Sequence, residues 1–336
     1  MYYVWVHATP SKRAISRLLA YGSFASAAVV AGAAVRRPDV ILASSPPLSV
    51  GVVGACLAAR HRRPWVLDVR DLWPDAPLAV GQMREGRLFR LAQRLESRLY
   101  ASASAITTTT EPFRNRIAER GGGGKVSVLA NGTTSTFLEA GIEPPEPTPW
   151  NGADRRFTWT YAGNLGLVAD LNSAVRAAGE LGHGFQLALV GAGPRRDELE
   201  SLAAPLPEGT VVFHDAVPPE RAARLMRASD ALLVSQAPLE RLEGMVLSKL
   251  YDCCAVARPI VVAAIGETRR LADEAGAALC VPPGDPTALA DAIRRLRDDA
   301  SLGEGLARRA RQFAEANSRD RWVTPLEKTL NEAASI

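Results

Sequence analysis

A lysine and an aspartate three residues apart are the most chemically suggestive pair in the sequence. They lie in the segment Ser248-Lys-Leu-Tyr-Asp252. Serine is a common helix-capping residue, so Ser248 predicts a helix with Lys249 in its first turn, where a cation is unfavourable without an anion nearby. A diphosphate would supply that anion, and Asp252 could accept hydrogen bonds from a ribose diol. The alternative is a capped surface helix with both charges in water.

Two glycine-containing turns could bring backbone amides to the same anion. One is Tyr161-Ala-Gly-Asn-Leu-Gly166, and the other is Leu189-Val-Gly-Ala-Gly-Pro194. Each follows a strand pattern and opens a helical one, where the helix N-terminus favours negative charge. The second turn lacks the third glycine and the matched acidic residue of a dinucleotide fingerprint, which disfavours a nicotinamide cofactor. Tight turns without a ligand are the alternative interpretation.

These residues need parallel strands to position them, and the sequence predicts such strands. Short β-branched runs alternate with helical stretches, which is typical of α/β proteins. A predicted helix, Ser11–Val35, follows the first run. The predicted strands are Tyr3–His7, Val40–Ala43, Val66–Val69, Ala105–Thr108, Val126–Leu129, Thr158–Ala162, Gln186–Val190, Val211–Phe213, Ala231–Val234, Ile260–Ala263 and Ala278–Val281.

A proline-rich stretch separates two groups of strands. The prolines of Glu143–Trp150 can neither continue a helix nor join a central strand. We therefore expect a first domain over residues 1–145 and a second over 155–316, with a C-terminal helix over 317–336 packing back on the first. Two doubly wound sheets would leave a cleft, and ligands bind such sheets at the carboxyl ends of the strands.

Composition and charge indicate the class of protein and the kind of partner. The 336 residues are 47% hydrophobic and 23% charged, which fits two globular domains and excludes overall disorder. Residues 1–150 carry a net charge of +7 and the remainder −3. The basic first half predicts a face for something anionic, either nucleic acid or a membrane surface, with solvated arginines as the alternative.

The cysteines and the uncharged stretch Leu18–Val35 carry no strong signal. Four cysteines, with no Cys-x-x-Cys among them, predict neither a disulfide framework nor a metal site, and reduced thiols favour a cytoplasmic chain. Leu18–Val35 is uncharged over 18 residues, but 11 of these are Ala, Gly or Ser. A helix packed on a sheet through small residues is therefore favoured over a membrane span.

Together the motifs resemble those of family-4 retaining glycosyltransferases of the GT-B fold. The second half contributes the two glycine turns, the Ser248–Asp252 segment and Gly266-Glu267. The first half contributes Ser44-Ser-Pro-Pro-Leu48, Asp68-Val-Arg-Asp-Leu-Trp-Pro-Asp75, Thr110-Glu111 and Asn131-Gly132. The resemblance covers nearly the whole chain. It points in particular to the bacterial branch that builds O-antigen, capsule and colanic-acid-like polysaccharides, including fucosamine transferases.

This resemblance implies two Rossmann-like domains facing a cleft, the first for the acceptor and the second for a nucleotide-diphosphate sugar. It implies transfer of the sugar to a lipid-linked saccharide in lipopolysaccharide or exopolysaccharide biosynthesis. Arg70 and Asp71 stand where many relatives have a His-Asp pair near the transferred sugar, and they are the predicted catalytic residues. The predicted donor-binding residues are Gly163, Asn164, Gly191, Gly193, Lys249, Leu250, Asp252 and Glu267.

The sequence departs from the family pattern in three places. Many relatives have two glutamates separated by seven residues, but Glu243 is one place off register with Asp252. The basic residues that usually follow the first glycine loop are missing between Gly163 and Asp170, so Lys249 or arginines near Arg70 must carry more of the diphosphate charge. The chain also has no Asp-x-Asp, which predicts a reaction without a metal ion or other cofactor.

Three other functions are alternatives to sugar transfer. A sugar-nucleotide 2-epimerase shares this architecture but commonly uses histidines and carboxylates at the sugar ring, and none of the four histidines lies in a donor motif. A nucleotide-sugar-binding protein without transferase activity is a second alternative. A nucleic-acid-binding protein is the third, but the basic half lacks interleaved aromatic residues and any recognised motif. The predicted partners are therefore the sugar donor and the lipid-linked acceptor, with no nucleic acid.

One predicted helix carries a basic stripe. Arg87, Arg90, Arg94 and Arg98 share a helical face, and Leu88, Leu91, Leu95 and Leu99 form the neighbouring face. With basic residues near Lys12 and Arg62, this stripe is predicted to dock the first domain on anionic lipid at the inner face of the plasma membrane. The alternative is a core-facing leucine stripe beside solvated arginines.

The beginning of the chain resembles a later part of the family pattern. The run Tyr2-Tyr-Val-Trp-Val6 looks like a later strand of the first domain. This predicts a first domain that is truncated at its N-terminus and lacks the opening strand and its glycine-containing loop. Such a sheet would be short on one side and would expose an apolar edge.

Overall fold

The computed structural model describes residues 3–7, 14–145, 147–148 and 155–335. They form two compact α/β units. The first unit is Met1–Ala130 together with Trp322–Ile336, and the second is Asn131–Arg321. Each unit is built on its own parallel sheet, which confirms the prediction of two α/β domains.

The first unit contains a four-stranded parallel sheet in the order β1-β2-β3-β4. Glycine lets helix α2 approach this sheet closely, because a Cβ on Gly54 would lie 2.7 Å from the Cβ of Ala43. The elements are α1 (Ala14–Ala33), β1 (Ile41–Ser45), α2 (Leu48–His61), β2 (Trp65–Val69), α3 (Asp75–Ala79), α4 (Arg87–Ser102), β3 (Ala105–Thr108), α5 (Glu111–Ile117) and β4 (Val126–Val128).

The second unit contains a six-stranded parallel sheet in the order β10-β9-β8-β5-β6-β7. Its elements begin with α6 (Ser135–Ala140), β5 (Phe157–Ala162), α7 (Leu171–Leu181), β6 (Phe185–Val190), α8 (Arg196–Ala203), β7 (Val211–His214), α9 (Pro219–Ala228) and β8 (Ala231–Ser235). They continue with α10 (Ser248–Ala255), β9 (Ile260–Ala263), α11 (Gly266–Glu274), β10 (Leu279–Val281), α12 (Pro286–Asp298) and α13 (Ala300–Ala316). The last helix, α14 (Val323–Ala334), belongs to the first unit and lies beside β2.

The second sheet is buried on both faces because its residues alternate between two apolar cores. Leu233 and Val261 point into the core that α7 and α12 cover. Leu232 and Val262 point into the opposite core, with α10 and α13. The strand order reverses between β5 and β8, which is the position where doubly wound sheets bind ligands.

The predicted strand at Tyr3–His7 is wrong, while the other ten predicted strands are present with ends shifted by at most two residues. Residues 3–7 form no strand, and Tyr3 and Trp5 are exposed. The run is rich in β-prone residues, but a strand also needs a hydrogen-bonding neighbour. The predicted helix at Ser11–Val35 is α1, whose described residues begin at Ala14.

The first unit ends earlier than the proline-rich stretch suggests. Residues from Asn131 onward already belong to the second unit. The reason is α6, which packs on α9 and α10 and places Phe137 and Ala140 against the core of the second unit. The prolines mark an irregular segment, whereas apolar packing decides which unit a helix joins.

None of the helices in the described part of the chain is both long and apolar enough to cross a bilayer. The uncharged stretch that raised the question lies in α1, which packs against α2. Gly32 lets the two helices approach, since a Cβ there would lie 2.6 Å from a methyl group of Leu57. The small residues therefore pack against a helix, whereas the sequence predicted packing against a sheet.

A buried ionic network joins three segments of the first unit. Glu96, in the middle of α4, is fully buried and accepts hydrogen bonds from Tyr100 at 2.7 Å and from Arg120 at 2.9 Å. Arg120 also lies 2.8 Å from a carboxylate oxygen of Asp75, the first residue of α3. Burial raises the pKa of Glu96 to about 7, against the opposing effects of Tyr100 and Arg120. The single guanidinium therefore compensates two buried carboxylates.

Replacing Arg120 by alanine should destabilise the first unit strongly. Glu96 would lose its compensating charge and Asp75 would lose the nearer of its two arginines, and breaking a buried ion pair from one side costs about 3–5 kcal/mol. The matched control is Arg116→Ala, which removes a half-exposed arginine 3.2 Å from the same Asp75 and should cost less than about 1 kcal/mol. Urea unfolding measures both variants, and equal losses would contradict this account of Arg120.

Candidate functional site

A cavity of about 540 Å³ lies in the second unit at the carboxyl ends of β5 and β6. Its lining includes polar side chains, among them those of Asn164, Lys249 and Asp252, and apolar side chains such as those of Val217 and Met226. A ligand with an anionic part and a less polar part would match this lining.

Lys249 is held in the cavity lining by contacts to the carboxyl end of β5. Its ammonium donates to the carbonyl of Ala162 and lies 4.3 Å from the centre of the Tyr161 ring. The Tyr161 hydroxyl in turn donates to the carbonyl of Asn164 at 2.9 Å. Burial lowers the pKa of Lys249, with Cys253 and Asp252 acting in the opposite direction. Burial therefore makes the charged form of Lys249 cost free energy, and a bound anion would reduce that cost.

The start of α10 places Lys249 in the first turn, but not through the serine cap that the sequence suggests. Leu247 occupies the capping position, and no side chain caps the helix there. Instead, Thr268 accepts a hydrogen bond from the amide of Leu247 at 3.1 Å and donates to the carbonyl of Met245 at 3.1 Å. A fully buried threonine on α11 thus holds the segment that leads into α10.

The two glycine turns pack tightly against each other and against the lysine. Gly163 has a φ of 144°, and a Cβ there would collide with the ammonium of Lys249. Gly191 has a φ of 150°, and a Cβ there would collide with the carbonyl of Gly163. Their amides donate to the carbonyls of Val190 at 2.8 Å and His214 at 2.9 Å. These glycines therefore contribute room for close approach, whereas the sequence suggested amides turned toward an anion.

Asp252 lies three residues after Lys249 and also lines the cavity. Its carboxylate accepts a hydrogen bond from the hydroxyl of Thr133 at 3.1 Å. Burial raises the pKa of Asp252 to about 6, while Thr133 and the charges of Arg319 and Lys249 lower it. The group is therefore mainly ionised at neutral pH and can accept hydrogen bonds from ligand hydroxyls.

Five of the eight predicted donor-binding residues line the cavity, namely Gly163, Asn164, Gly191, Lys249 and Asp252. The other three are not among the residues that line it. Gly193 packs against the backbone of Leu165, and Leu250 is fully buried in the core. Glu267 is paired with Arg270 at 2.8 Å. A direct contact of these three with a donor remains a prediction.

The predicted catalytic pair lies in the first unit, directly after β2. Arg70 is 3.7 Å from a carboxylate oxygen of Asp68, which also accepts hydrogen bonds from Ser44 at 2.8 Å and Thr107 at 2.9 Å. Burial raises the pKa of Asp71 to about 6, with a backbone hydrogen bond acting in the opposite direction. The carboxyl ends of three neighbouring strands thus form a polar cluster.

Sequence reasoning missed one wall of the cavity, which two distant segments build together. The backbone amide of Arg319 donates a hydrogen bond to the carbonyl of Thr133 at 2.9 Å. Gly132 permits this approach, because a Cβ there would lie 2.5 Å from the carbonyl oxygen of Asn317. In the sequence, Asn131-Gly132 is recognisable only as one of the motifs of the family resemblance. No local pattern links it to residues nearly 190 positions later.

The charges around the cavity favour an anion. Among the described residues that line it, the charged ones are Lys249, Asp252 and Arg319, so two cations face one carboxylate. A positively charged pocket at the end of parallel strands suits a phosphate-containing ligand.

Comparison with known proteins gives matches in both units. The family model described as a Glycosyl transferase 4-like domain matches residues 1–132, and the model described as Glycosyl transferases group 1 matches residues 156–299. The probable glycosyltransferase WbjE of Pseudomonas aeruginosa is 26% identical over 318 residues, covering 89% of this chain and 76% of that protein. Alpha-D-kanosaminyltransferase of Streptomyces kanamyceticus is 26% identical over 233 residues, covering 66% of this chain and 58% of that enzyme.

A solved structure shares the fold across the chain. HepE (Alr3699) of Anabaena, in complex with UDP-glucose, matches with a TM-score of 0.72 at 18% identity, covering 96% of this chain and 84% of HepE. The two family models between them account for the sheets of both units. The chain therefore belongs to the family-4 glycosyltransferases and is a transferase of the GT-B fold.

Proposed function

We propose that this protein transfers a sugar from a nucleoside-diphosphate donor to a lipid-linked saccharide in surface-polysaccharide biosynthesis. The reaction retains the configuration of the sugar and uses no metal ion. The observation that carries the proposal is the cavity of the second unit, with its two cations and the partly buried Lys249. HepE, which shares the fold, binds UDP-glucose.

The donor binds with its diphosphate beside Lys249 and its ribose beside Asp252. The ammonium stabilises the negative charge that grows on the diphosphate as the sugar leaves, which is the main catalytic resource available here. The Asp252 carboxylate accepts charge-assisted hydrogen bonds from the ribose hydroxyls. The base contacts apolar residues of the lining, such as Val217 and Met226.

The acceptor binds in the first unit, at the polar cluster that follows β1, β2 and β3. Arg70 and Asp71 are the residues that we assign to the transferred sugar. Asp71, whose pKa burial raises to about 6, is mainly ionised at neutral pH and can accept a hydrogen bond from a sugar hydroxyl. The resemblance of Asp68–Asp75 to the family motif supports this assignment.

The direct test is a panel of UDP- and GDP-sugars, incubated with and without bacterial lipid-linked saccharides. Transfer predicts a glycosylated lipid and release of the nucleoside diphosphate, both dependent on the acceptor. Conversion of the donor sugar into its epimer without an acceptor would indicate the 2-epimerase instead. Binding without either reaction would indicate a protein that holds nucleotide sugars without transferring them.

Lys249→Met should remove nucleotide affinity without harming the fold. We expect a loss of about 1.5–3 kcal/mol in binding UDP or GDP by calorimetry, the usual contribution of a hydrogen bond to a charged group. Without nucleotide, the melting temperature should be unchanged or higher, because burial disfavours the ammonium.

The matched control is Lys328→Met, an exposed lysine on α14, which should change neither measurement. Unchanged UDP and GDP affinity in the Lys249 variant would sink its assignment to the diphosphate. A large fall in its melting temperature without nucleotide would show instead that the ammonium is structural.

We also propose that α4 brings the first unit to an anionic membrane, where a lipid-linked acceptor resides. Arg87, Arg90, Arg94 and Arg98 are all exposed. The leucine stripe beside them is divided, since Leu99 is buried whereas Leu88 and Leu91 are 70% and 61% exposed. Exposed leucines beside a row of arginines suit the boundary between lipid headgroups and acyl chains.

Removing charge from α4 should weaken binding to anionic vesicles. The triple variant Arg90→Gln, Arg94→Gln and Arg98→Gln should lose about 1 kcal/mol per arginine on phosphatidylglycerol vesicles, and less at high salt. The control removes three exposed arginines from the second unit, Arg241→Gln, Arg295→Gln and Arg308→Gln, and should bind like the wild type. Co-sedimentation that responds to neither lipid charge nor salt would refute the proposal.

A further inference from the structure

The cavity of the second unit has a second cation that comes from the far end of the chain. Arg319 lines the cavity together with Lys249, although 70 residues separate them in sequence. The family resemblance assigned no role to this arginine, and the Glycosyl transferases group 1 match ends at residue 299. Its function has to be inferred from its contacts.

Arg319 is held in place by the segment on the other side of the same wall. Its Nε donates to the carbonyl of Gly132 at 2.9 Å, and its backbone amide donates to the carbonyl of Thr133. The hydroxyl of Thr133 continues the chain of contacts to Asp252 at 3.1 Å. Backbone and side chain are therefore both fixed, which preorganises the guanidinium at the rim of the cavity.

The outer part of the guanidinium remains available for a ligand. Within the described ranges, Nη1 and Nη2 of Arg319 donate to no protein atom, and Arg319 forms no ion pair within 4.0 Å. Its positive charge nevertheless acts on Asp252, where it lowers the pKa that burial has raised. The arginine is thus close to Asp252 in the lining of the cavity.

The charge of a nucleoside diphosphate exceeds what one lysine can compensate. No basic residue lies between Gly163 and Asp170 to share it. A guanidinium is suited to the task because its planar fork can donate two parallel hydrogen bonds to phosphate oxygens. Asp252 occupies one side of the site and does not cancel both cations.

We propose that Arg319 is a second phosphate-binding residue of this pocket and binds the diphosphate of the donor together with Lys249. This inference rests on the proposed nucleotide-sugar function and deepens it. It assigns part of the diphosphate charge to the segment where the chain leaves the second unit, outside the motifs that the sequence displays.

The test compares ligands that differ only in phosphate. Wild type, Arg319→Gln, Arg319→Lys and the control Arg321→Gln are titrated with UDP and GDP, and then with the monophosphate and the nucleoside of the better-bound base. Arg319→Gln should weaken diphosphate binding about 10- to 100-fold, as expected for a lost hydrogen bond to a charged group. It should change nucleoside binding by less than about 3-fold, since the nucleoside carries no phosphate.

The lysine variant separates charge from structure. Lysine keeps the positive charge but cannot reproduce the forked guanidinium, so Arg319→Lys should retain diphosphate affinity intermediate between wild type and Arg319→Gln. Arg321, whose side chain donates to the carbonyl of Ala316, lies two residues on, and its variant should bind all three ligands normally.

Two results would overturn the inference while leaving the proposed function standing. One is Arg319→Gln with wild-type diphosphate affinity. The other is equal loss of diphosphate, monophosphate and nucleoside in both Arg319 variants, which would show that the bond to Gly132 only supports the wall. A wild-type protein that binds neither UDP nor GDP would instead refute the proposed function, and this inference with it.

Discussion

The candidate site depends on one partly buried ammonium at the end of a parallel strand. Lys249 reaches the carbonyl of Ala162 and the ring of Tyr161, and it occupies the space that a side chain on Gly163 would need. Burial makes this charge unfavourable. A bound anion would offset this cost, because the two opposite charges would stabilise each other. The glycine turns leave room for it, and the buried Thr268 of α11 holds the segment that leads into α10.

The pocket is also a long-range construction. One wall joins Gly132 and Thr133 to residues 317–319, and the hydroxyl of Thr133 reaches Asp252 on α10. Three segments far apart in the chain therefore meet around one carboxylate. Because that carboxylate is buried, its charge is sustained by Thr133 and the neighbouring cations rather than by water. A substitution in any of the three segments would therefore alter the surroundings of Asp252.

In the first unit, a buried ion-pair network fixes helix α4, which carries the exposed arginines. Arg120 compensates Glu96 and Asp75 at once and so ties α4 to the start of α3. The outer face of α4 is then free to expose arginines and two leucines, since its inward face is already anchored by Phe89, Glu96 and Leu99. The same helix thus serves stability on one side and, in our proposal, lipid contact on the other.

Hydrophobic alternation and turn residues are local signals, and they were enough to predict the two parallel sheets and ten of the eleven strands. The motifs were enough to predict the family. The sequence also singled out Lys249 and Asp252, whose helical spacing is local too. The tertiary structure was needed to show that α6 joins the second unit, that the run at Tyr3–His7 forms no strand, and that Arg319 lines the cavity. These outcomes depend on which distant surfaces bury one another, and packing energy of that kind leaves no periodic trace in the residues themselves.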